Sequence, residues 1–191
     1  LIIGLLFLQA YCDLSLPDYT SKVINVGIQQ GGIPDGVPEK MRQSTMENLQ
    51  IFMDEDTQKE VQDSYVLDGD TYELKDGITG DKREELNDLL CKPLMMYTSF
   101  TSGSEESRKM LSQMQVPEGT DSMQVLSAMP EDAKKQMLEA ADEKLSDMPE
   151  SILTQAAVSG VKTEYEAMGE DSDAIQMNYI RTSGIQMVLM A

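Results

Sequence analysis

The chain has 191 residues, with 34 Asp and Glu against 15 Lys and Arg, a formal net charge of −19, no His, no Trp and two Cys. That length suits one domain, or one domain with appendages, and is enough to bury a core. The acidity excludes a nucleic-acid platform, which needs clustered positive charge. The missing His excludes Ser-His-Asp and Cys-His triads, His-liganded zinc and a histidine pH switch.

The charge is distributed unevenly. Residues Leu1 to Cys12 carry none, and neither do Thr182 to Ala191. Residues 32–172 hold 31 acids and 13 bases, so −18 of the total lies in the centre. The chain starts without Met and stops inside an apolar run, which is expected of a segment of a longer protein. Neither apolar run reaches the ~20 residues that span a bilayer, so each is expected to be the outer end of a spanning helix. The alternative is a pair of hydrophobic helices packed in a soluble core. A signal peptide needs a basic start and small residues before its cleavage site, which the N-terminus lacks. Leu8-Gln9-Ala10-Tyr11-Cys12 only faintly matches a lipoprotein box, because Tyr11 is too bulky there.

From Leu1 a helical pattern runs to about Gln30, with Tyr19, Val23, Val26 and Gln30 on one stripe. Pro17 is expected to kink it, because proline removes a backbone donor and crowds the preceding turn. Gly31-Gly32 ends it, and a Pro/Gly loop follows from Ile33 to Pro38. Thirty helical residues at 1.5 Å each give an arm of about 45 Å. That suits a helix running from a membrane into water.

The centre reads as short helices with one hairpin. Ser44-Thr45-Met46-Glu47 matches a capping box, opening a helix with Met46, Leu49 and Met53 inward. A short helix is expected near Asp56 to Gln62. Tyr65-Val66-Leu67, a turn at Asp68-Gly69, then Asp70 to Leu74 predict a β-hairpin. Asp81 with Glu84 is expected to cap a helix burying Leu86, Leu89, Leu90, Leu94 and Tyr97, with a kink or end near Pro93. Ser104 with Glu105 and Glu106 begins another, carrying Met110, Leu111 and Met114. A short one follows around Asp121 to Met129.

Two similar starts recur 19 residues apart, Met129-Pro130-Glu131-Asp132 and Met148-Pro149-Glu150-Ser151. Proline in the first turn followed by acids suits a helix N-terminus. The first helix places Ala133, Met137, Ala141, Leu145 and Met148 on one face. The second places Leu153, Ala157, Val161, Tyr165 and Met168 on its own, as consecutive antiparallel helices. Two copies are too few for a solenoid. A last helix starts at Asp171 to Asp173 and becomes more apolar towards Ala191.

The chemistry legible in these residues is sparse. An EF-hand loop needs Asp at positions 1 and 3 with Gly at 6, and loops begun at Asp54, Asp68 or Asp171 have Lys59, Glu73 or Gln176 there. The acids therefore read as a solvated surface. The 15 Met read as core, where a flexible thioether fills irregular gaps, with an adaptable contact surface for apolar cargo or a partner as the second reading. Cys12 and Cys91 are expected to stay unpaired. No Gly-x-x-x-x-Gly-Lys-Ser/Thr stretch exists, and no residue stands out as catalytic, cofactor-binding or metal-ligating.

The run Leu16-Pro17-Asp18-Tyr19-Thr20-Ser21-Lys22-Val23-Ile24-Asn25-Val26-Gly27-Ile28-Gln29-Gln30-Gly31-Gly32 resembles the outer end of the first transmembrane helix in bacterial ATP-binding cassette exporters. The relevant subunits fuse a six-helix permease to an ATPase and often carry Leu-Pro, a Ser and Asn-x-Gly-Ile at this point. Met177-Asn178-Tyr179-Ile180, Gly184 and Met187 resemble the return into the second helix. The two matches cover 17 residues at one end and 15 at the other, leaving roughly 140 between them where many family members have a short loop.

The resemblance implies an extracytoplasmic insertion between transmembrane helices 1 and 2 of a cell-membrane exporter of drugs, peptides or lipids. The implied division is residues 1–31 as the outer part of helix 1, 32–172 as an acidic helical domain and 173–191 as the start of helix 2. The fold class is then mainly α, a long antiparallel terminal helix pair carrying a small helical domain with one short β-hairpin. The segment itself is not an enzyme, and ATP and Mg act in the parent's ATPase. A second half-transporter subunit and an exported substrate are the implied partners, with the insert gating the exit or contacting either of them. Pro17 carries over only as a helix-kink position. The alternatives are the sensor domain of a two-helix membrane receptor and a surface-binding protein.

Overall fold

The structure, a computed structural model, describes residues 2–103 and 122–190. It is mainly helical, with one small antiparallel sheet of three strands among the described residues. The chain divides into two compact units, one made of residues 1–34 with 165–191 and the other of residues 35–164. The helix expected from Ser104 lies outside the described residues.

The first unit opens with α1, Ile2–Lys22, which runs through Pro17. Over Val23–Gln29 the backbone widens to a π-helix, where a regular α-helix is expected to continue. Gly31 and Gly32 end it at φ +67° and +84°, a conformation open to glycine and strained for other residues. The Gly32 N–H closes the last turn by donating to the Val26 carbonyl at 2.8 Å.

The second unit begins at the Pro/Gly loop and enters β1, Lys40–Arg42, which the sequence reading does not anticipate. Three residues with one apolar side chain give no usable alternation, yet Met41 is fully buried. β2, Tyr65–Asp68, and β3, Thr71–Leu74, form the expected hairpin, and β1 pairs with the outer side of β3 to give the order β1-β3-β2. Asp68 pairs with Thr71, so the turn residues are Gly69-Asp70, one position later than Asp68-Gly69. Gly69 at φ +64° sits first in the turn, where left-handed backbone is needed.

α2, Gln43–Gln50, starts without a capping box. Arg42 occupies the cap position, which puts Ser44 inside the first turn, and the Thr45 hydroxyl donates to Glu164. α3, Glu55–Asp63, is capped by Asp54, whose carboxylate accepts the Thr57 N–H at 2.8 Å. α4, Asp81–Thr101, continues through Pro93, and Gly80 with no side-chain cap precedes it, leaving Asp81 and Glu84 as first-turn acids. It buries Leu86, Leu90 and Leu94 as expected, and also Asn87 and Cys91, while Leu89 and Tyr97 are only half-buried.

α5, Ser122–Ala128, leads to α6, Glu131–Ser146, with Pro130 at the cap rather than in the first turn. α7, Glu150–Met168, follows. Met137 and Leu145 of α6 are buried but Met148 is 37% exposed, because α6 ends at Ser146. The apolar faces of α6 and α7 serve different neighbours. Met137 joins Phe52, Met123 and Leu126 in a core cluster, with Leu138 packed against it, and the Phe52 and Phe100 rings stack at 5.7 Å. Gly160 of α7 lies against Leu94 and Thr98 of α4. α8, Ser172–Met190, returns to the first unit, with the Asp171 carboxylate accepting the N–H groups of Asp173 and Ala174.

Candidate functional site

Within the first unit, α1 and its π-helical extension pack on α8. A Cβ on Gly27 would lie 2.8 Å from Ile180, and one on Gly32 would lie 2.8 Å from the Gln176 backbone. The partner number falls as the residue number rises, so the two helices run antiparallel. Gln176 clips the pair: its Nε2 donates to the Gly27 carbonyl at 2.8 Å. The π-helix shifts carbonyls out of the usual helical pairing, and a side-chain donor from the neighbouring helix meets one of them.

The far ends of this pair are apolar and uncovered. Ile2, Ile3, Leu6 and Leu14 on α1 are exposed, as are Ile185, Val188 and Leu189 on α8, the last at 81%. Leaving such side chains in water forgoes roughly 1.5–3 kcal/mol for each one. No helix among the described residues is long and apolar enough to cross a membrane. Pro17 lies inside α1 and is exposed.

The second unit holds a cleft of about 1080 Å³, walled by the α2–α3 connection, α4 and α6. The connection is fixed from within. Gln58 Nε2 donates to the Gln50 and Met53 carbonyls at 2.9 and 3.0 Å, so the chain turns sharply between the two helices. That turn pushes Phe52 and Met53 into the floor, where they are buried, and leaves Ile51 half-covered. Leu89 and Met96 of α4 and Leu138 of α6 complete an apolar lining. Lys92 of α4 pairs with Asp142 of α6 on the lining. No local pattern in the sequence marks the cleft; Met53 falls at an inward helical position, and the methionine excess is the one compositional signal of it.

Two ion-pair centres organise the rest of this unit. Glu164, 4% exposed, accepts from Arg42 Nε and Nη2 at 3.0 and 2.8 Å, from the Arg42 N–H at 2.8 Å and from Thr45 Oγ at 2.8 Å. Burial pushes its pKa up, but these donors together hold the carboxyl below the usual glutamate range. Arg83 takes Asp35 in a two-pronged grip at 2.6 and 3.0 Å and reaches Glu39 at 2.7 Å and the Val37 carbonyl at 3.0 Å. Both centres hold the β1 approach in place.

Cys91 is buried, and burial pushes its thiol up to about 11, so it is not a nucleophile at neutral pH. Both cysteines are free thiols. Among the described residues, no group of three or more Cys, Asp or Glu is placed to hold a metal ion.

Comparison with protein-family models, with curated proteins and with solved structures finds no match to this chain.

Proposed function

We propose that this chain is the extracytoplasmic insertion of an ATP-binding cassette exporter subunit, carried between the outer ends of its first two membrane helices. One observation supports the reading above the others. Two antiparallel helices end in charge-free segments whose large apolar side chains are exposed, and the chain leaves this pair at Pro34 and rejoins it at Tyr165. Apolar surface of that kind is stabilised by lipid or by further helices. The intervening unit carries 28 acids and 13 bases, a composition suited to an aqueous compartment and repelled by anionic surface polymers.

In this reading the insert belongs to the exit side of an alternating-access cycle. Motion of the outer helix ends reaches it through α1 and α8. It acts there in gating, in holding the partner subunit, or in contacting exported substrate.

The reading frame beyond Ala191 is the first test. Four further spans followed by Gly-x-x-x-x-Gly-Lys-Ser/Thr support the proposal; a signalling module after the second span identifies a receptor instead. The second test replaces residues 35–164 of the full subunit by a short Gly/Ser linker. Basal ATP hydrolysis is expected to persist while export changes. Unaltered export rate and substrate range would remove the role assigned to the insert.

A further inference from the structure

The cleft of the second unit has the form of a recognition groove. Its volume, about 1080 Å³, lies just above the range of roughly 300–1,000 Å³ common to small-molecule sites. Its floor offers Ile51, Phe52, Met53, Leu89, Met96 and Leu138. Part of that floor is continuous with the cluster around Phe52, Met123 and Met137, so flexible thioethers lie both on and beneath the contact surface. Methionine surfaces re-pack around varied apolar partners, as aliphatic or aromatic ones do less readily.

The charges around this floor are asymmetric. Among the described residues the lining carries Glu47, Asp54, Glu55, Asp88, Glu139 and Asp142 against Lys92, Lys134 and Lys135, a local net of −3. The acids come from every wall: α2, the α2–α3 connection, α3, α4 and α6. Among the described residues the lysines come from α4 and α6, and Lys92 is paired with Asp142. Asp54 is occupied with capping α3. Glu55, Asp88 and Glu139 are exposed lining residues contributed by three different helices. An anionic ligand would be repelled here, and a purely apolar one would leave the exposed acids unused.

The geometry points to a binding site for a cationic amphipathic peptide, its apolar side chains on the Met/Phe/Leu floor and its Lys or Arg residues against Glu55, Asp88 and Glu139. An amphipathic helix laid into a groove presents anchors at i, i+3, i+4 and i+7 with charges on either side, which suits a lining that combines apolar side chains with exposed acids from several helices. Charge complementarity of this kind sets specificity and encounter rate, while the apolar anchors supply most of the affinity. The site stands on the cleft alone and does not require the exporter assignment.

The test is fluorescence anisotropy of a labelled Lys/Leu amphipathic peptide of about 18 residues, titrated with the full chain near 0.15 M ionic strength. Matched Gln/Leu and Glu/Leu peptides serve as comparisons. Two double variants change net charge equally, Asp88→Lys with Glu139→Lys on the cleft, and Asp68→Lys with Asp76→Lys outside it. All four positions are exposed, and circular dichroism checks that helix content is kept. The cleft variant is expected to weaken the Lys/Leu peptide by about tenfold or more, the outer variant by less than about twofold. Methyl resonances of Met53 and Met96 are expected to shift on binding, while those of the fully buried Met41 and Met46 stay. Equal weakening by both variants, equal affinity for the Gln/Leu peptide, or no binding at about 1 mM would each overturn the proposal.

Discussion

Glu164 and Arg42 meet in a two-pronged ion pair across 122 residues of sequence, with Nε···Oε1 at 3.0 Å and Nη2···Oε2 at 2.8 Å. The carboxylate is enclosed and the guanidinium is 42% exposed, so one partner depends on the pair more than the other. The Arg42 backbone N–H and the Thr45 hydroxyl fill the remaining acceptor sites. One side chain of α7 therefore positions the end of β1 and the start of α2 together.

Glu164→Gln keeps the shape but turns an amide N–H₂ towards donors. The expected cost is about 2–3 kcal/mol, below the roughly 3–5 for fully enclosed pairs because Arg42 reaches water. That corresponds to a fall in Tm of about 5–10 °C in a chain of this size. Because the folded-state pKa is lowered, the native carboxylate contributes its full stability above the ordinary glutamate range and loses it as pH falls through the folded value. The Tm gap between wild type and Glu164→Gln should be constant from about pH 7 to 5 and shrink below about pH 4. A gap independent of pH down to the acid limit would show that the charge is not what matters.

Arg83→Lys tests whether the loop from Asp35 to Glu39 is held by charge or by geometry. Arg83 is 19% exposed and makes four hydrogen bonds, two of them to Asp35. An ammonium cannot reproduce the planar fork, so the lysine variant should recover little of what the alanine variant loses, with each costing about 1–3 kcal/mol in urea unfolding. Full rescue by lysine would mean that a point charge suffices.

Gly36 marks a close approach of backbone to side chains. A Cβ there would lie 2.8 Å from the Ala157 Cβ and 3.2 Å from Asn87 Oδ1, and the Gly36 N–H donates to that same oxygen at 2.8 Å. Gly36→Ala must displace α7 or break the hydrogen bond, and Asn87→Leu leaves a buried N–H without its partner. Each is expected to cost about 1–3 kcal/mol. Because both act on one contact, the double variant should lose less than the sum, which a double-mutant cycle in urea measures.

The two thiols should separate in alkylation. Cys91 is 5% exposed, with its thiol raised to about 11, whereas Cys12 lies partly exposed on α1. Iodoacetamide at about pH 7.5 should modify Cys12 alone in the folded chain, and Cys91 only after denaturation. Mass spectrometry of digested peptides reads the outcome, and prompt labelling of Cys91 would contradict its enclosure.

Local signals in the sequence found the helices well. Gly31-Gly32 and Asp171 sit at ends that backbone geometry and side-chain oxygens define within a few residues, so those boundaries are legible, whereas the helix expected near Asp56 starts one residue earlier, behind its Asp54 cap. Ser44-Thr45-Met46-Glu47 misplaces the start because the helix begins earlier, with Arg42 at the cap as the chain leaves β1, so Ser44 falls inside the first turn. β1 failed for a long-range reason, since a three-residue strand is defined by its partner β3 and not by its own pattern. The hairpin was right in kind and one residue out in register, because Asp68-Gly69 and Gly69-Asp70 are both good turn pairs and pairing chose the second.

Composition and periodicity alone determine that this chain is mainly helical, that its ends lack charge and that its acids lie in the middle. Those are properties of spacing and of side-chain chemistry, each readable within a short window. Which helices meet was decided only in three dimensions. Gly27 against Ile180, Glu164 against Arg42, and the cleft between α4, α6 and the α2–α3 connection all join residues far apart in sequence. Close packing makes such contacts depend on the shape of every neighbour at once, and no local pattern records that.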